Sequence, residues 1–187
     1  KLYYAPGVCS LSPHIVLKES GLPFEAIKTD IRNKTTDGGG DYRKTNPLGY
    51  VPALELDDGT ILTEGPAIVQ YIADKVPAKN LAPANGTLDR YKLQSWLNFV
   101  STEVHKGYSP LFNPAVPDEV KSVFRERLMT RLAHLDKHLA TNDYVMGKDF
   151  SVVDAYVFTT LGWAPRVNVD LSGFPNLAKF RERMMAR

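Results

Sequence analysis

One residue in this chain can do thiol chemistry, Cys9, and it stands at the opening of what reads as the first helix. The stretch Pro6-Gly7-Val8-Cys9-Ser10-Leu11-Ser12-Pro13 follows a short apolar run, Leu2-Tyr3-Tyr4, with the character of a β-strand. It precedes Ile15–Ser20, which reads as a helix closed by Gly21. Pro13 suits a first helical turn, where a missing N–H has no partner to lose, and Ser12 offers a capping hydroxyl. Unpaired N–H groups and the positive dipole end at a helix opening favour a thiolate, and such settings commonly bring a thiol down from about 8.5 by one unit or more. Cysteine also serves as a small buried hydrophobe without chemistry. This stretch alone leaves the two readings even.

Two further groupings carry binding chemistry. In Asn46-Pro47-Leu48-Gly49-Tyr50-Val51-Pro52-Ala53-Leu54-Glu55-Leu56 the prolines and glycine make a tight turn that opens directly into a strand. Pro52 at a strand start suits an edge, a first position or a cis bond. A cis bond would turn the Val51 N–H and C=O outward, ready to pair with an extended peptide. In Glu64-Gly65-Pro66, Pro66 marks the first turn of a helix, so the Gly65 N–H faces open space where an anion can sit. Glu64 beside it matches an ammonium, and together they suit an α-amino acid group. A helix-start glutamate that only complements the dipole is at least as common. Lys34 is the one long cation of its segment that could reach toward a thiolate or carboxylate. His134 and His138 have the i, i+4 spacing of a metal pair, but no cysteine or third ligand completes a set, and a surface pair is the stronger reading.

The elements that must position these groups fall into two halves. Pro23–Asp30 reads as a second strand, which makes a βαβ unit with a right-handed crossover. Residues 33–42, with Gly38-Gly39-Gly40, read as a loop or short frayed helix. Asp57-Asp58-Gly59 turns a hairpin into Thr60–Thr63, and the helix from Glu64 presents Ala67, Ile68, Tyr71 and Ile72 on one face. Ala78–Gly86 reads as a linker. Beyond it every element reads as helical. Thr87–Lys106 carries the apolar stripe Leu93, Leu97, Val100 and Val104, with Asn98, Thr102 and His105 opposite. Pro117–Ala140 presents Val120, Val123, Phe124, Leu128, Leu132, Leu135 and Leu139. Ser151 and Asp154 form a capping box at the start of an apolar helix, a cap that contributes typically ~1 kcal/mol. Phe174 opens the last helix, whose end, Phe180–Arg187, lacks a stop signal, so a short continuation is expected. Composition narrows the class: 187 residues, 43% hydrophobic, 24% charged and a formal charge of +2. A globular protein follows, with no basic block for nucleic acid, no apolar run for a membrane, and a lone cysteine that fits the reducing cytoplasm.

A strand, a cysteine at a helix mouth, Asn-Pro-x-Gly-x-Val-Pro and an acidic residue opening the next helix together resemble the N-terminal domain of the cytosolic glutathione transferases. Leu2 to His14 resembles the bacterial beta class, which carries cysteine where other classes carry tyrosine or serine. Trp96 to Phe99 and Thr102 to Phe112 resemble the same class, as does the box at Ser151 and Asp154, so the likeness spans essentially the whole chain. It implies an α/β thioredoxin-like domain (βαβαββα) over residues 1–77, a linker over 78–86 and an all-helical domain over 87–187.

The resemblance implies that glutathione is held by Cys9, Lys34, Val51, Pro52, Glu64, Gly65, Asn98, Thr102, Glu103, Val104, His105 and Lys106, some of them across a homodimer interface. Cys9, Ser10 and His105 are the implied catalytic groups. A cleft between the domains, lined by Ala5, Tyr108, Leu111, Phe112, Trp163 and Arg166, is the implied place for a small hydrophobic electrophile. No metal is implied. Gly65 departs from the many relatives that carry serine there, which removes a hydroxyl contact of about 1.5–3 kcal/mol to a charged group. The main expectation is transfer of the glutathione thiolate to an electrophilic carbon. Two alternatives stand beside it: glutaredoxin-like thiol–disulfide exchange through Cys9, which has no resolving cysteine, and a carrier of hydrophobic ligands without catalysis.

Overall fold

The computed structural model describes residues 1–187, which divide into two compact units, Lys1–Asn85 and Gly86–Arg187. In the first unit β1 (Leu2–Tyr4) is followed by α1 (Leu11–Ser20), β2 (Ala26–Asp30), β3 (Thr35–Thr36), β4 (Ala53–Glu55), β5 (Ile61–Thr63) and α2 (Gly65–Lys75). The five strands lie in the order β3-β2-β1-β4-β5. β1 and β2 run parallel, as a helical crossover through α1 requires, and the other pairs are antiparallel. Leu2, Val16, Leu17, Leu54, Ile68, Val69 and Ile72 are buried, and Tyr3, Ala5, Tyr42, Val51 and Ala53 form a packed cluster.

Several local expectations change. α1 begins at Leu11, not after Ser12, so Ser12 lies inside the first turn, buried and without a hydrogen bond for its hydroxyl. Gly21 closes the helix in the left-handed region, as its lack of a Cβ allows. The glycine-rich stretch forms β3, which pairs Thr36 with Thr29 and Thr35 with Asp30. A single 3₁₀ turn at Tyr42–Lys44 stands where the βαβαββα order has its second helix. The buried face of α2 is Ile68, Val69, Ile72 and Ala73, whereas Ala67 faces solvent.

The second unit contains α3 (Leu88–Phe99), a π turn (Val100–His105), α4 (Lys106–Phe112), α5 (Asp118–Leu139), α6 (Val152–Leu161) and α7 (Pro175–Met185). Its core combines Leu93, Leu97, Val100 and Val104 with Leu128, Leu132, Leu135 and Leu139 and nearly all of α6. The first turns of α5 project past this core, so Val120 and Val123 are exposed, Val123 by 64%. Gly107 lets α4 and α5 approach closely, because a Cβ there would lie 3.2 Å from Leu128 Cδ1. Asp154 holds the start of α6. Its carboxylate accepts from the Val145 N–H at 2.7 Å, the Ser151 N–H at 2.7 Å and the Ser151 hydroxyl at 2.9 Å. Burial nevertheless pushes its pKa up to about 6.

Candidate functional site

The topology gathers the candidates of the first unit at one end of its sheet. β1 and β2 both end there, delivering the Ala5–Ser10 turn and the approach to Lys34. β4 begins there, since Tyr3 pairs with Ala53 and Ala53 with Thr63. Pro52 and Glu64 therefore continue the antiparallel β4–β5 pair from opposite strands. Ligands of open sheets collect at such a carboxyl end, where the chain reverses direction between neighbouring strands.

Val51 is held by its neighbours on both sides. The Tyr50 carbonyl accepts from the Tyr42 hydroxyl and from the Asn46 side-chain amide, each at 2.8 Å. Asn46 Oδ1 also accepts from the Leu48 N–H at 3.2 Å, which closes the turn. Tyr42 is fully buried, and that burial pushes its hydroxyl up to about 12, so it stays a proton donor. Beyond this fixed carbonyl the Val51–Pro52 bond is cis. Val51 lies past the last ladder pair, and no acceptor in the chain takes its N–H. Its carbonyl is not free in the way the sequence suggests, because the Cys9 thiol donates to it at 3.2 Å. Cys9 is half-buried, so it is not sealed within the core.

Ser10 departs from its expected role. It is 0% exposed, its hydroxyl accepts from the Ala5 N–H and donates to the Ala5 carbonyl, both at 3.1 Å, and it thereby staples the turn between β1 and α1. A hydroxyl committed twice to the backbone has nothing to offer a sulfur. The helix mouth is also partly closed by its own turn, since the Leu11 N–H donates to Val8 and the Ser12 N–H to Cys9.

At the neighbouring helix mouth, Glu64 is exposed, and no hydrogen bond within the chain uses its carboxylate. It sits at φ 67°, ψ 115°. A non-glycine residue there costs about 1–3 kcal/mol, and such outliers concentrate at ligand clamps. The Ala67 and Ile68 N–H groups turn back to the Glu64 carbonyl, which leaves the Gly65 N–H as the open donor of the turn. A Cβ at Gly65 would meet no atom within 4 Å, so space does not forbid a side chain there. Lys34 Nζ donates to the Gly49 carbonyl at 3.0 Å and lies 5.6 Å from the Tyr50 ring centre, which brings a cation to the turn beside Val51.

In the second unit the π turn rearranges the expected stripe. Asn98 and Thr102 stay exposed, with the Thr102 hydroxyl donating to the Asn98 carbonyl at 3.0 Å. The wider turn that follows takes His105 off that face and inward. Its ring meets Trp163 edge-on at 4.8 Å, and its Nδ1 lies 2.6 Å from the Tyr156 hydroxyl. Burial, with Lys106 adding to it, lowers the His105 pKa to about 4, so the imidazole is neutral at pH 7. Glu103 is held by Arg131 at 2.8 Å and Arg127 at 3.2 Å, which keep its carboxyl below the usual range. Val104 is buried in the core and presents no side chain to a ligand, and Lys106 is exposed.

The residues expected to line an electrophile site divide in the same way. Ala5, Tyr108, Leu111 and Trp163 are buried, while Phe112 and Arg166 are exposed and pair, with the guanidinium carbon 6.0 Å from the ring centre. Tyr108 and Trp163 pack edge-on behind them at 5.7 Å. His134 and His138 both pack on Trp96, and His138 Nε2 bonds the Val145 carbonyl at 2.8 Å, which accounts for the pair without an ion. Sequence reasoning missed Tyr156, Arg127 and Arg131, since nothing local ties them to residues 24 to 51 positions away.

Two measurements test this geometry. Glu64→Gly removes the backbone strain that Glu64→Ala keeps, so the glycine variant is expected to be the more stable by about 1 kcal/mol in urea unfolding. His105 binds its proton less readily in the folded chain than at its ordinary 6.5. Its contribution is therefore complete above about pH 6.5 and is lost as pH falls toward 4, amounting to about 2 kcal/mol between pH 7.5 and 5. In His105→Gln the acid-side loss of stability should shrink by that amount; an identical pH profile would refute the neutral, half-buried imidazole.

Comparison with known proteins places this geometry. The profile of the glutathione S-transferase N-terminal domain matches residues 8–75, and that of the C-terminal domain matches residues 99–187. The glutathione S-transferase GstA of Escherichia coli O157:H7 is 46% identical over 187 residues, covering 100% of this chain and 93% of that protein. A sphingomonad glutathione S-transferase solved with glutathione is 48% identical with a TM-score of 0.96, over 100% of this chain and 92% of that one. The beta class enzyme of Sphingomonas chungbukensis is 45% identical, also with a TM-score of 0.96, over 100% and 92%. With both domain profiles matched and such relatives along its whole length, the chain belongs to the glutathione S-transferase family, in its bacterial beta class.

Proposed function

We propose that glutathione lies along Val51, with its sulfur beside Cys9 and its γ-glutamyl end at Glu64 and Gly65. The observation that carries this reading is the fixed Val51 unit, with an unclaimed N–H and a carbonyl already marked by a sulfur at 3.2 Å. A tripeptide pairs there as an added strand pairs with a sheet. Glu64 meets the γ-glutamyl ammonium, the Gly65 N–H its carboxylate, and Lys34 the opposite carboxylate. Asn98 and Thr102, exposed on a face that His105 has left, suit a glutathione bound to a second copy. Glu103 and Lys106 act at the rim of that contact, Glu103 through the arginines that hold it.

The chain is a glutathione transferase, and glutathione is its co-substrate. In the transfer, the thiol proton leaves to solvent and the thiolate sulfur forms a bond to an electrophilic carbon, whose leaving group departs with the electron pair. The Cys9 thiol and the Ser10 backbone N–H, which no hydrogen bond within the chain uses, are the donors available to the anionic sulfur. Phe112 and Arg166, backed by Tyr108, Leu111 and Trp163, favour a small apolar or aromatic electrophile. No helix is long and apolar enough to cross a membrane; one cysteine and no secreted-type disulfide framework suit the cytoplasm.

Aryl-halide conjugation and glutathione–disulfide exchange, measured for wild type and Cys9→Ala, separate the readings. Conjugation is expected to persist within about tenfold, with exchange lost. Loss of both would make Cys9 the reacting centre, and neither activity in wild type would favour a carrier. The exposed Asn98–Thr102 face and the exposed start of α5 fit a homodimer; sedimentation at micromolar concentration should show twice the 20.8 kDa chain mass, and a monomer would remove the shared-site reading.

A further inference from the structure

Gly49 closes the Asn-Pro-x-Gly turn of the first unit. Its N–H donates to the Asn46 carbonyl at 2.7 Å, and its φ of 64° lies in the left-handed region. Asparagine enters that region more readily than other residues with a side chain, so backbone conformation alone does not demand glycine. Space does. A Cβ at position 49 would lie 2.6 Å from Lys34 Cδ, 3.0 Å from its Cε and 3.3 Å from its Nζ. The lysine stem therefore crosses the bare face of Gly49, along a path that any side chain would close.

Lys34 is tied down at both ends. Its own backbone is left-handed, with φ 59°, and is held by its N–H donating to the Asp30 carbonyl and its carbonyl accepting from the Tyr42 N–H, each at 2.8 Å. At the tip, Nζ donates to the Gly49 carbonyl at 3.0 Å and stands 5.6 Å from the Tyr50 ring centre. An ammonium carries three N–H donors. One is committed to Gly49, and no further hydrogen bond or ion pair of the chain engages the others. A lysine in open solvent loses much rotamer freedom when a ligand orders it. Here the order is present before any ligand arrives, which favours binding.

We infer that Gly49 is a positioning residue: its bare face seats the Lys34 stem, holds the ammonium beside Val51 with two donors open, and so makes the site select a peptide whose terminal carboxylate is ionised. The selection rests on the proposed placement of glutathione along Val51, with its glycyl carboxylate toward Lys34; the seat does not. A Cβ at position 49 would collide with a flexible stem and not with backbone. The collision is therefore relieved by moving the lysine, and the turn that fixes the Tyr50 carbonyl stays in place. Carboxylate recognition is lost while the rest of the peptide-binding edge remains.

Calorimetry with glutathione, and with glutathione esterified at its glycyl carboxylate, reads the selection. Wild type should prefer the free acid by about tenfold or more, as one hydrogen bond to a charged group implies. Gly49→Asn, which suits the left-handed turn, should remove that preference and leave the Kd of the ester little changed. Lys34→Met should do the same, and Gly49→Asn should add nothing to it in the double variant. A preference kept in Gly49→Asn but lost in Lys34→Met overturns the inference. So does a weakened ester Kd in Gly49→Asn, which would put the effect at Val51. A wild type that binds acid and ester equally, or a preference that survives in Lys34→Met, instead defeats the proposed placement of the carboxylate. The seat is judged without ligand or variant by ¹³C relaxation of wild-type protein labelled at lysine Cε. Lys34 should be more rigid than the exposed Lys28 and Lys44, and equal mobility overturns the inference.

Discussion

The site of the first unit depends on one carbonyl. Tyr50 C=O accepts from the Tyr42 hydroxyl and the Asn46 amide, both at 2.8 Å, and both donors are buried. A buried donor without a partner costs about 1–3 kcal/mol, so each of the two strongly resists any rotation of the Tyr50–Val51 peptide. Everything a ligand would read at Val51 follows from that restraint. The unclaimed N–H points where the peptide plane sends it, the carbonyl meets Cys9, and β4 can start only after Pro52. Asn46 also closes its own turn through Leu48. The Asn-Pro-x-Gly pattern is thus a way of building a rigid acceptor for two donors, with a binding surface as its continuation.

How far this was legible in the sequence depended on whether the cause was local. Gly21, Asp58-Gly59, Pro66 and the Ser151–Asp154 box act within a few residues, and each appears in the structure where local chemistry puts it. Residues 35–36 read as loop because a two-residue strand has no periodicity to detect; they pair only because β2 has an open edge beside them. Val120 and Val123 read as core because helical spacing says which residues share a face, and not how far along a helix its neighbours extend. Ser10 illustrates a third limit. Its type and place beside Cys9 suggested chemistry, yet the tight turn after β1 needed its hydroxyl to satisfy both backbone groups of Ala5. A polar side chain beside a reactive one is often spent on holding the backbone that presents it.

The π turn had the largest effect on the candidate site. Asn98, Thr102 and His105 share one face only while the helix keeps 3.6 residues per turn. Widening it over Val100–His105 leaves Val100 and Val104 in the core but rotates His105 away from Thr102 and into a packed aromatic setting. Such wide turns are rare and occur frequently at functional positions. Here the effect is to let one short segment serve two purposes. Its outer face keeps exposed polar groups, and its inner end carries an imidazole whose protonation is governed by burial. No residue-type signal marks this change, since Val-Ser-Thr-Glu-Val-His is ordinary helical sequence.

Cys9 and Val51 show how the two readings of the thiol are connected. The contact at 3.2 Å has the S–H as donor and the carbonyl as acceptor, so it exists only while Cys9 is protonated. Ionisation would place a negative sulfur against a carbonyl dipole that Tyr42 and Asn46 prevent from turning aside, and that opposes the pull of the α1 dipole. A carbonyl oxygen has two lone pairs, so a peptide N–H arriving at Val51 can bond there without displacing the thiol. Cys9 in its neutral form is thus compatible with a neighbouring anionic sulfur, to which it could turn its proton, whereas a Cys9 thiolate would repel one. The restraint that builds the peptide-binding edge therefore also fixes the acceptor that the Cys9 thiol meets.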